Sequence, residues 1–153
     1  MKEFNVEDFK SSELKLIPNS GEGKKIYVKY LGGVQAGFPS PAEDVFTKEL
    51  SLDERYFYKP ESTFIVEVSS LSMFPEYRMG DKLILRSDIE LRNGYDVVVS
   101  INSCDYTLKR WDEENRVFKS LNPKYPDLTF DEEDTVIMMG IVGAQIRDRL
   151  NIW

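Results

Sequence analysis

The chain has 153 residues, a formal net charge of −7, no histidine and a single cysteine, Cys104. Without histidine there can be no Ser-His-Asp or Cys-His catalysis and no histidine-ligated metal, so any nucleophile would need lysine, a carboxylate or the N-terminal amine as its base. The acidic balance argues against non-specific binding to DNA, which depends on neutralised phosphates. No apolar run is long enough to span a membrane. We therefore expect a cytoplasmic protein with protein partners and with neither metal nor cofactor.

The first part of the chain carries few structural signals. Residues 1 to about 25 form a polar stretch of mixed charge, which predicts a flexible N-terminal arm with little core of its own. After it, residues 26–31 alternate between apolar and polar side chains like a strand. Residues 40–43, Ser-Pro-Ala-Glu, form a capping box with proline at the first helical position and predict a short helix to about Leu50. Residues 51–54, Ser-Leu-Asp-Glu, repeat the box and predict a second turn of helix.

After Pro60 the chain changes to a β pattern. Short segments rich in β-branched and aromatic residues are separated by turn residues, which is typical of strands. They predict a mainly β domain, either a sandwich or a partly open barrel. The predicted strands span residues 63–68, 82–85, 96–101, 105–111, 116–119 and 135–142.

Two residues in the β region are candidates for nucleophilic chemistry. Ser72 follows the predicted strand at 63–68, and a serine at a strand-to-turn junction can present its hydroxyl beside backbone N–H groups that bind an oxyanion. Lys109 lies in the predicted strand at 105–111, where alternation places it on the same face as Thr107 and Trp111. Taken alone, however, an ordinary loop serine and a solvent-facing lysine are the commoner interpretations.

The β region contains a series of spaced short motifs. They are Ser72-Met73, Gly80-Asp81, Asn93-Gly94, Thr107-Leu108-Lys109-Arg110, Leu121-Asn122-Pro123 and Gly140-Ile141-Val142. Together they resemble the LexA-type self-cleaving serine–lysine peptidases of the S24 family, which use the same separation of serine and lysine. The resemblance implies that Ser72 is the nucleophile, that a neutral Lys109 is its base, and that the backbone N–H groups of Ser72 and Met73 bind the oxyanion. It also implies the LexA and signal-peptidase type of β fold.

The segment at residues 36–44, Ala-Gly-Phe-Pro-Ser-Pro-Ala-Glu-Asp, is similar to the cut site of UmuD-like members of that family. The similarity implies cleavage of the Ala36–Gly37 bond, which would separate the arm, residues 1–36, from a β domain, residues 37–153. It further implies an accessory subunit of an error-prone translesion DNA polymerase in the SOS response to DNA damage. The implied partners are a second copy in a homodimer, a RecA–single-stranded DNA filament and a UmuC-like catalytic subunit, and DNA would be contacted mainly through them.

Two alternatives stay open at this point. One is a transcriptional regulator related to LexA or phage repressors, although the 36 residues before Gly37 are too few for a complete helix-turn-helix domain. The other is an interaction domain that keeps the fold and does not cut. Ser70 and Leu71 fit the second alternative, because the family usually has glycine at the first position and Asp, Met or His at the second.

Overall fold

A computed structural model describes residues 2–17, 28–31 and 47–152. These residues fall into two compact units, one made of residues 2–17 and 61–152 and the other of residues 28–31 and 47–60. In chain order the elements are β1 (Leu14–Ile17), β2 (Val28–Leu31), β3 (Thr47–Leu50), α1 (Leu52–Tyr56), β4 (Thr63–Val68), β5 (Lys82–Arg86), β6 (Asp96–Ile101), β7 (Thr107–Asp112), β8 (Val117–Lys119) and β9 (Val136–Ile146).

The larger unit is built on one seven-stranded sheet in the order β1-β4-β5-β9-β6-β7-β8. Every neighbouring pair is antiparallel. All the strands predicted after Pro60 are present as β4 to β9, and the mainly β fold class is confirmed. No helix in the described ranges is both long and apolar enough to cross a membrane.

Strand β6 is buried on both of its faces, which explains its run of three consecutive valines at 97–99. Val97 and Val99 pack in a cluster with Phe118 and Ile141, whereas Val98 points to the main core. Successive side chains of a strand alternate between faces, so apolar residues at consecutive positions are expected where both faces are covered. The other buried members of the main core are Leu14, Val66, Val68, Met73, Tyr77, Leu83, Leu85, Tyr106, Leu108, Ile137 and Met139.

The long strand β9 holds the sheet together by pairing with β5 on one side and β6 on the other. Its register shifts against both partners, opposite Ile84/Leu85 and opposite Val98/Val99. Such bulges increase local twist and let a strand of 11 residues bend with the sheet. At Gly140 a Cβ atom would lie 3.1 Å from the carbonyl carbon and oxygen of Arg86, so a residue without a side chain lets β5 and β9 approach.

The smaller unit corrects one prediction and confirms two. The helix prediction from residue 40 to about Leu50 is wrong for its last four residues, because Thr47–Leu50 is a strand paired with Val28–Leu31. The rest of that prediction, residues 40–46, lies outside the described ranges. Pairing with a distant strand satisfies the backbone of Thr47–Leu50, and this outweighs the local helix signal. The strand prediction at 26–31 is confirmed over Val28–Leu31, and the helical turn after Ser51 is confirmed as Leu52–Tyr56.

The described N-terminal residues, 2–17, add a strand that the sequence patterns did not predict. Strand β1 pairs with β4 in the register Leu14↔Val68 to Ile17↔Ile65. Ahead of it, the ring of Phe9 stacks on Tyr106 at a centroid distance of 5.5 Å, and Leu14 is buried in the main core. This part of the chain is therefore packed against residues 61–152 within the larger unit.

Candidate active site

Ser72 lies in the turn that follows β4, and only 2% of its surface is exposed. Asn122, in a distant loop, makes two hydrogen bonds to the backbone of this turn. The Asn122 N–H donates to the carbonyl of Ser72 at 2.9 Å, and Asn122 Nδ2 donates to the carbonyl of Leu71 at 2.9 Å. The asparagine of the Leu121-Asn122-Pro123 motif thus has a clear local role, which is to position the backbone that carries the serine.

Lys109 lies in β7 and is buried, so the solvent-facing interpretation of this lysine is wrong. Its Nζ donates to the carbonyl of Leu108 at 3.1 Å and to Glu13 Oε2 at 3.4 Å. Burial lowers the pKa of Lys109 and outweighs the nearby carboxylates of Glu13 and Asp127, which raise it. A lysine with a lowered pKa has a larger neutral fraction, and only the neutral amine can accept a proton.

The candidate serine and lysine both form a hydrogen bond with one carboxylate oxygen of Glu13. Ser72 Oγ donates to Glu13 Oε2 at 3.3 Å, and the same oxygen accepts the hydrogen bond from Lys109 Nζ. Among the described residues, no hydrogen bond joins Ser72 directly to Lys109. The sequence patterns did not single out Glu13, a glutamate in the polar arm that lies 96 positions from the lysine.

The backbone donors predicted for the oxyanion lie at the same turn. The Ser72 N–H donates to Ser70 Oγ at 3.3 Å, whereas the Met73 N–H meets no acceptor within the described part of the chain. Ser70 Oγ also donates to Ser72 Oγ at 3.2 Å. Ser70, at the position where the resemblance led us to expect glycine, therefore contacts both the candidate nucleophile and one candidate oxyanion donor. The oxyanion role of the two N–H groups stays a prediction.

A polar network links the turn after β4 to the strand that carries the lysine. Tyr77 Oη donates to Asp96 Oδ2 at 2.6 Å. Arg110, next to Lys109 in β7, donates to both oxygens of Asp96 at 2.8 and 2.9 Å and to Glu76 Oε2 at 2.8 Å. Hydrogen bonds to ionised groups are among the stronger ones in proteins, so this network stabilises the spacing of turn and strand. The sequence patterns did not predict it.

A second network fixes the far end of the same turn, and it explains the Gly80-Asp81 motif. Gly80 has a φ of 90°, which suits glycine. The buried Asp81 accepts hydrogen bonds from Arg147 Nε and Nη2 at 2.7 and 2.6 Å and from Gln145 Nε2 at 2.8 Å. Burial would raise the pKa of Asp81, but these bonds, led by Arg147, hold it below the ordinary value. The motif thus attaches the turn to the end of β9.

The predicted cleavage site falls outside the described residues. Ala36 and Gly37 belong to the undescribed range between 31 and 47, so their relation to Ser72 stays a prediction. The same holds for the boundary between an arm at 1–36 and a domain at 37–153.

Comparison with known proteins agrees with these motifs. The sequence model of the family described as Peptidase S24-like matches residues 29–143. The chain is 33% identical over 113 residues to the protein SamA of Salmonella typhimurium, covering 72% of this chain and 78% of SamA. It is 35% identical over 82 residues to MucA of Escherichia coli, covering 53% of this chain and 56% of MucA. It is 27% identical over 128 residues to the LexA repressor of Saccharophagus degradans, covering 79% of this chain and 63% of that protein. The chain therefore belongs to the Peptidase S24-like family, the LexA-related family that its spaced serine, lysine and glycine motifs predicted.

Proposed function

We propose that this protein is a serine peptidase that cuts its own chain between Ala36 and Gly37, with Ser72 as nucleophile and Lys109 as base. The observation that carries the proposal is the position of Lys109, which is buried and reaches the same carboxylate oxygen as Ser72. Membership of the Peptidase S24-like family supports it.

The chemistry requires the lysine to be neutral. An exposed lysine, with a pKa of about 10.4, is almost entirely protonated at neutral pH and cannot accept the serine proton. The lowered pKa of Lys109 has burial as its main cause, and burial is the means by which serine–lysine sites activate the base.

In the proposed reaction, Lys109 Nζ takes the proton from Ser72 Oγ, and Oγ bonds to the carbonyl carbon of Ala36. The negative charge that develops on the carbonyl oxygen would be stabilised by the N–H groups of Ser72 and Met73. The bond to Gly37 then breaks, and the ammonium of Lys109 gives the proton to the departing amine.

A second half-reaction completes the cut. Neutral Lys109 takes a proton from a water molecule, and the hydroxide attacks the ester on Ser72. The serine oxygen leaves and regains its proton from the lysine. The products are residues 1–36 with a new carboxylate and residues 37–153 with a new amine.

For the biological role, we propose that the cut form is the accessory subunit of an error-prone translesion DNA polymerase in the SOS response. The similarity of residues 36–44 to the UmuD-like cut site and the relatedness to SamA and MucA support this role. The net charge of −7 favours protein partners over direct DNA binding. The proposed partners are a second copy, a RecA–single-stranded DNA filament and the polymerase catalytic subunit, in the cytoplasm.

The test is intact-mass spectrometry of the purified chain after incubation from about pH 8 to about pH 10, with and without the filament. We expect a fragment that begins at Gly37 in the wild type. Ser72→Ala and Lys109→Ala should abolish it, while the exposed controls Ser87→Ala and Lys124→Ala should not. A folded chain that never cuts would refute the peptidase function and favour an interaction domain. A fragment with another N-terminus would refute the assigned bond.

A further inference from the structure

We propose that Glu13 holds the Ser72–Lys109 pair inactive and that its carboxylate must leave the pair before the chain can cut itself. This inference rests on the proposed peptidase function. It assigns a regulatory role to a residue in the segment that the proposed cut removes.

The hydrogen bonds of Glu13 oppose the first step of the reaction. Glu13 Oε2 accepts from Ser72 Oγ at 3.3 Å and from Lys109 Nζ at 3.4 Å. The serine hydroxyl therefore donates to the carboxylate, whereas the proposed mechanism needs it to donate to the lysine. In a Ser-His-Asp arrangement the carboxylate contacts the base on the side away from the nucleophile. Glu13 contacts both groups, so it competes with the proton transfer.

The charge of Glu13 acts in the same direction as its hydrogen bonds. Two carboxylates influence Lys109: Glu13, directly before β1, and Asp127, in the loop after β8. Both favour the ammonium form, against burial, but only Glu13 also accepts a hydrogen bond from it. Neutralising Glu13 should therefore lower the pKa of Lys109 further and enlarge the fraction of neutral amine.

The backbone on both sides of Glu13 places the carboxylate at the pair. The Glu13 carbonyl accepts from the Ser69 N–H at 2.7 Å, which extends the ladder between β1 and β4 by one residue. The Leu14 side chain is buried in the main core. Ser11 Oγ accepts from the Leu14 N–H at 2.9 Å and donates to the carbonyl of Tyr106 at 2.6 Å. The side chain of Glu13 is only 16% exposed as a result.

The sheet order places Glu13 beside an edge strand. Strand β1 is at the edge of the seven-stranded sheet and pairs only with β4 within it. It can therefore detach without disturbing another strand pair, and Glu13 would leave with it. Because Glu13 lies within residues 1–36, the proposed cut would also sever it from the domain that carries Ser72 and Lys109.

The first test compares Glu13→Gln, which keeps the size of the side chain and removes its charge, with Glu7→Gln at an exposed site in the same segment. We expect Glu13→Gln to cut about tenfold faster near pH 7 and to shift the pH profile down by about one unit, because each pKa unit changes the neutral fraction tenfold. Glu7→Gln should match the wild type. If the wild type cuts and Glu13→Gln is unchanged or slower, the inhibitory role is wrong while the peptidase function stands.

The second test measures the effect of Glu13 on the titration of Lys109 and does not rely on cleavage. In a Ser72→Ala background, the Cε resonance of ¹³C-labelled Lys109 is titrated by NMR and assigned by its loss in Lys109→Arg. We expect a lower midpoint when Glu13→Gln is added, and an unchanged midpoint would overturn the inference. If the midpoint falls but no chain with an intact Ser72 ever cuts, the peptidase function is refuted, and the inhibitory role fails with it. Circular dichroism confirms that each variant is folded.

Discussion

Replacing Tyr77 with phenylalanine tests the network that joins the serine-bearing turn to β7. Tyr77 is 5% exposed, and its hydroxyl donates to Asp96 Oδ2 at 2.6 Å. Burial, together with the hydrogen bond to Asp96, raises the pKa of Tyr77 well above the ordinary value, so the hydroxyl keeps its proton and remains a donor. The substitution removes this one donor and leaves the ring in place.

The expected cost follows from the partners that Asp96 retains. A hydrogen bond to a charged group contributes about 1.5–3 kcal/mol to stability. Asp96 keeps both hydrogen bonds from Arg110, so its charge is not left unpaired and the cost should stay within that range. We expect the free energy of unfolding to fall by about 2 kcal/mol. For a chain of this length that corresponds to a decrease in Tm of roughly 4–8 °C.

Thermal and urea unfolding of Tyr77→Phe, monitored by circular dichroism, would measure this loss. Tyr95→Phe is the matched control, because Tyr95 is 37% exposed and its hydroxyl makes no hydrogen bond among the described residues. If both variants lower the Tm by the same small amount, the hydrogen bond from Tyr77 to Asp96 does not stabilise the fold.

Three further predictions follow from the same structure. The rate of self-cleavage should rise about tenfold per pH unit while Lys109 is mostly protonated. The rate should level off below pH 10.5, because burial lowers the pKa of Lys109. Initial rates that stay flat from about pH 7 to about pH 10 would exclude a lysine base. Asp81→Asn should lower the free energy of unfolding by about 1.5–3 kcal/mol at neutral pH, because the buried position loses the charged acceptor of the hydrogen bonds from Arg147 and Gln145. The pKa of Asp81 is lowered in the folded chain, so this difference should shrink as the pH falls below about 4, and a pH-independent difference in urea unfolding would contradict the pairing. Gly140→Ala should lower the free energy of unfolding by about 1–3 kcal/mol, because the added Cβ would lie too close to the backbone of Arg86. An unchanged Tm would show that β5 and β9 can move apart at Gly140 without loss of stability.

Sequence patterns were sufficient to predict the strands after Pro60. Each of these strands is a short apolar or alternating run between turn residues, and such a run is a local signal. The spaced motifs were likewise sufficient to predict the family, and they made Ser72 and Lys109 the candidates for its serine and lysine. The helix prediction failed at Thr47–Leu50 because a capping signal is local, whereas this segment pairs with Val28–Leu31. Strand β1 was missed because it is only four residues long and is stabilised mainly by a partner far along the chain.

The burial of Lys109 and the position of Glu13 were decided by the tertiary structure alone. Alternation along β7 places a lysine on one face, but the elements that pack on that face determine whether it is exposed. No pattern within the arm marks Glu13, because its proposed role depends on contacts with Ser72 and Lys109, which are 59 and 96 positions away. The sequence by itself therefore determined which groups are candidates for the chemistry. Tertiary packing decided their burial and their contacts, because both depend on distances that only the folded chain defines.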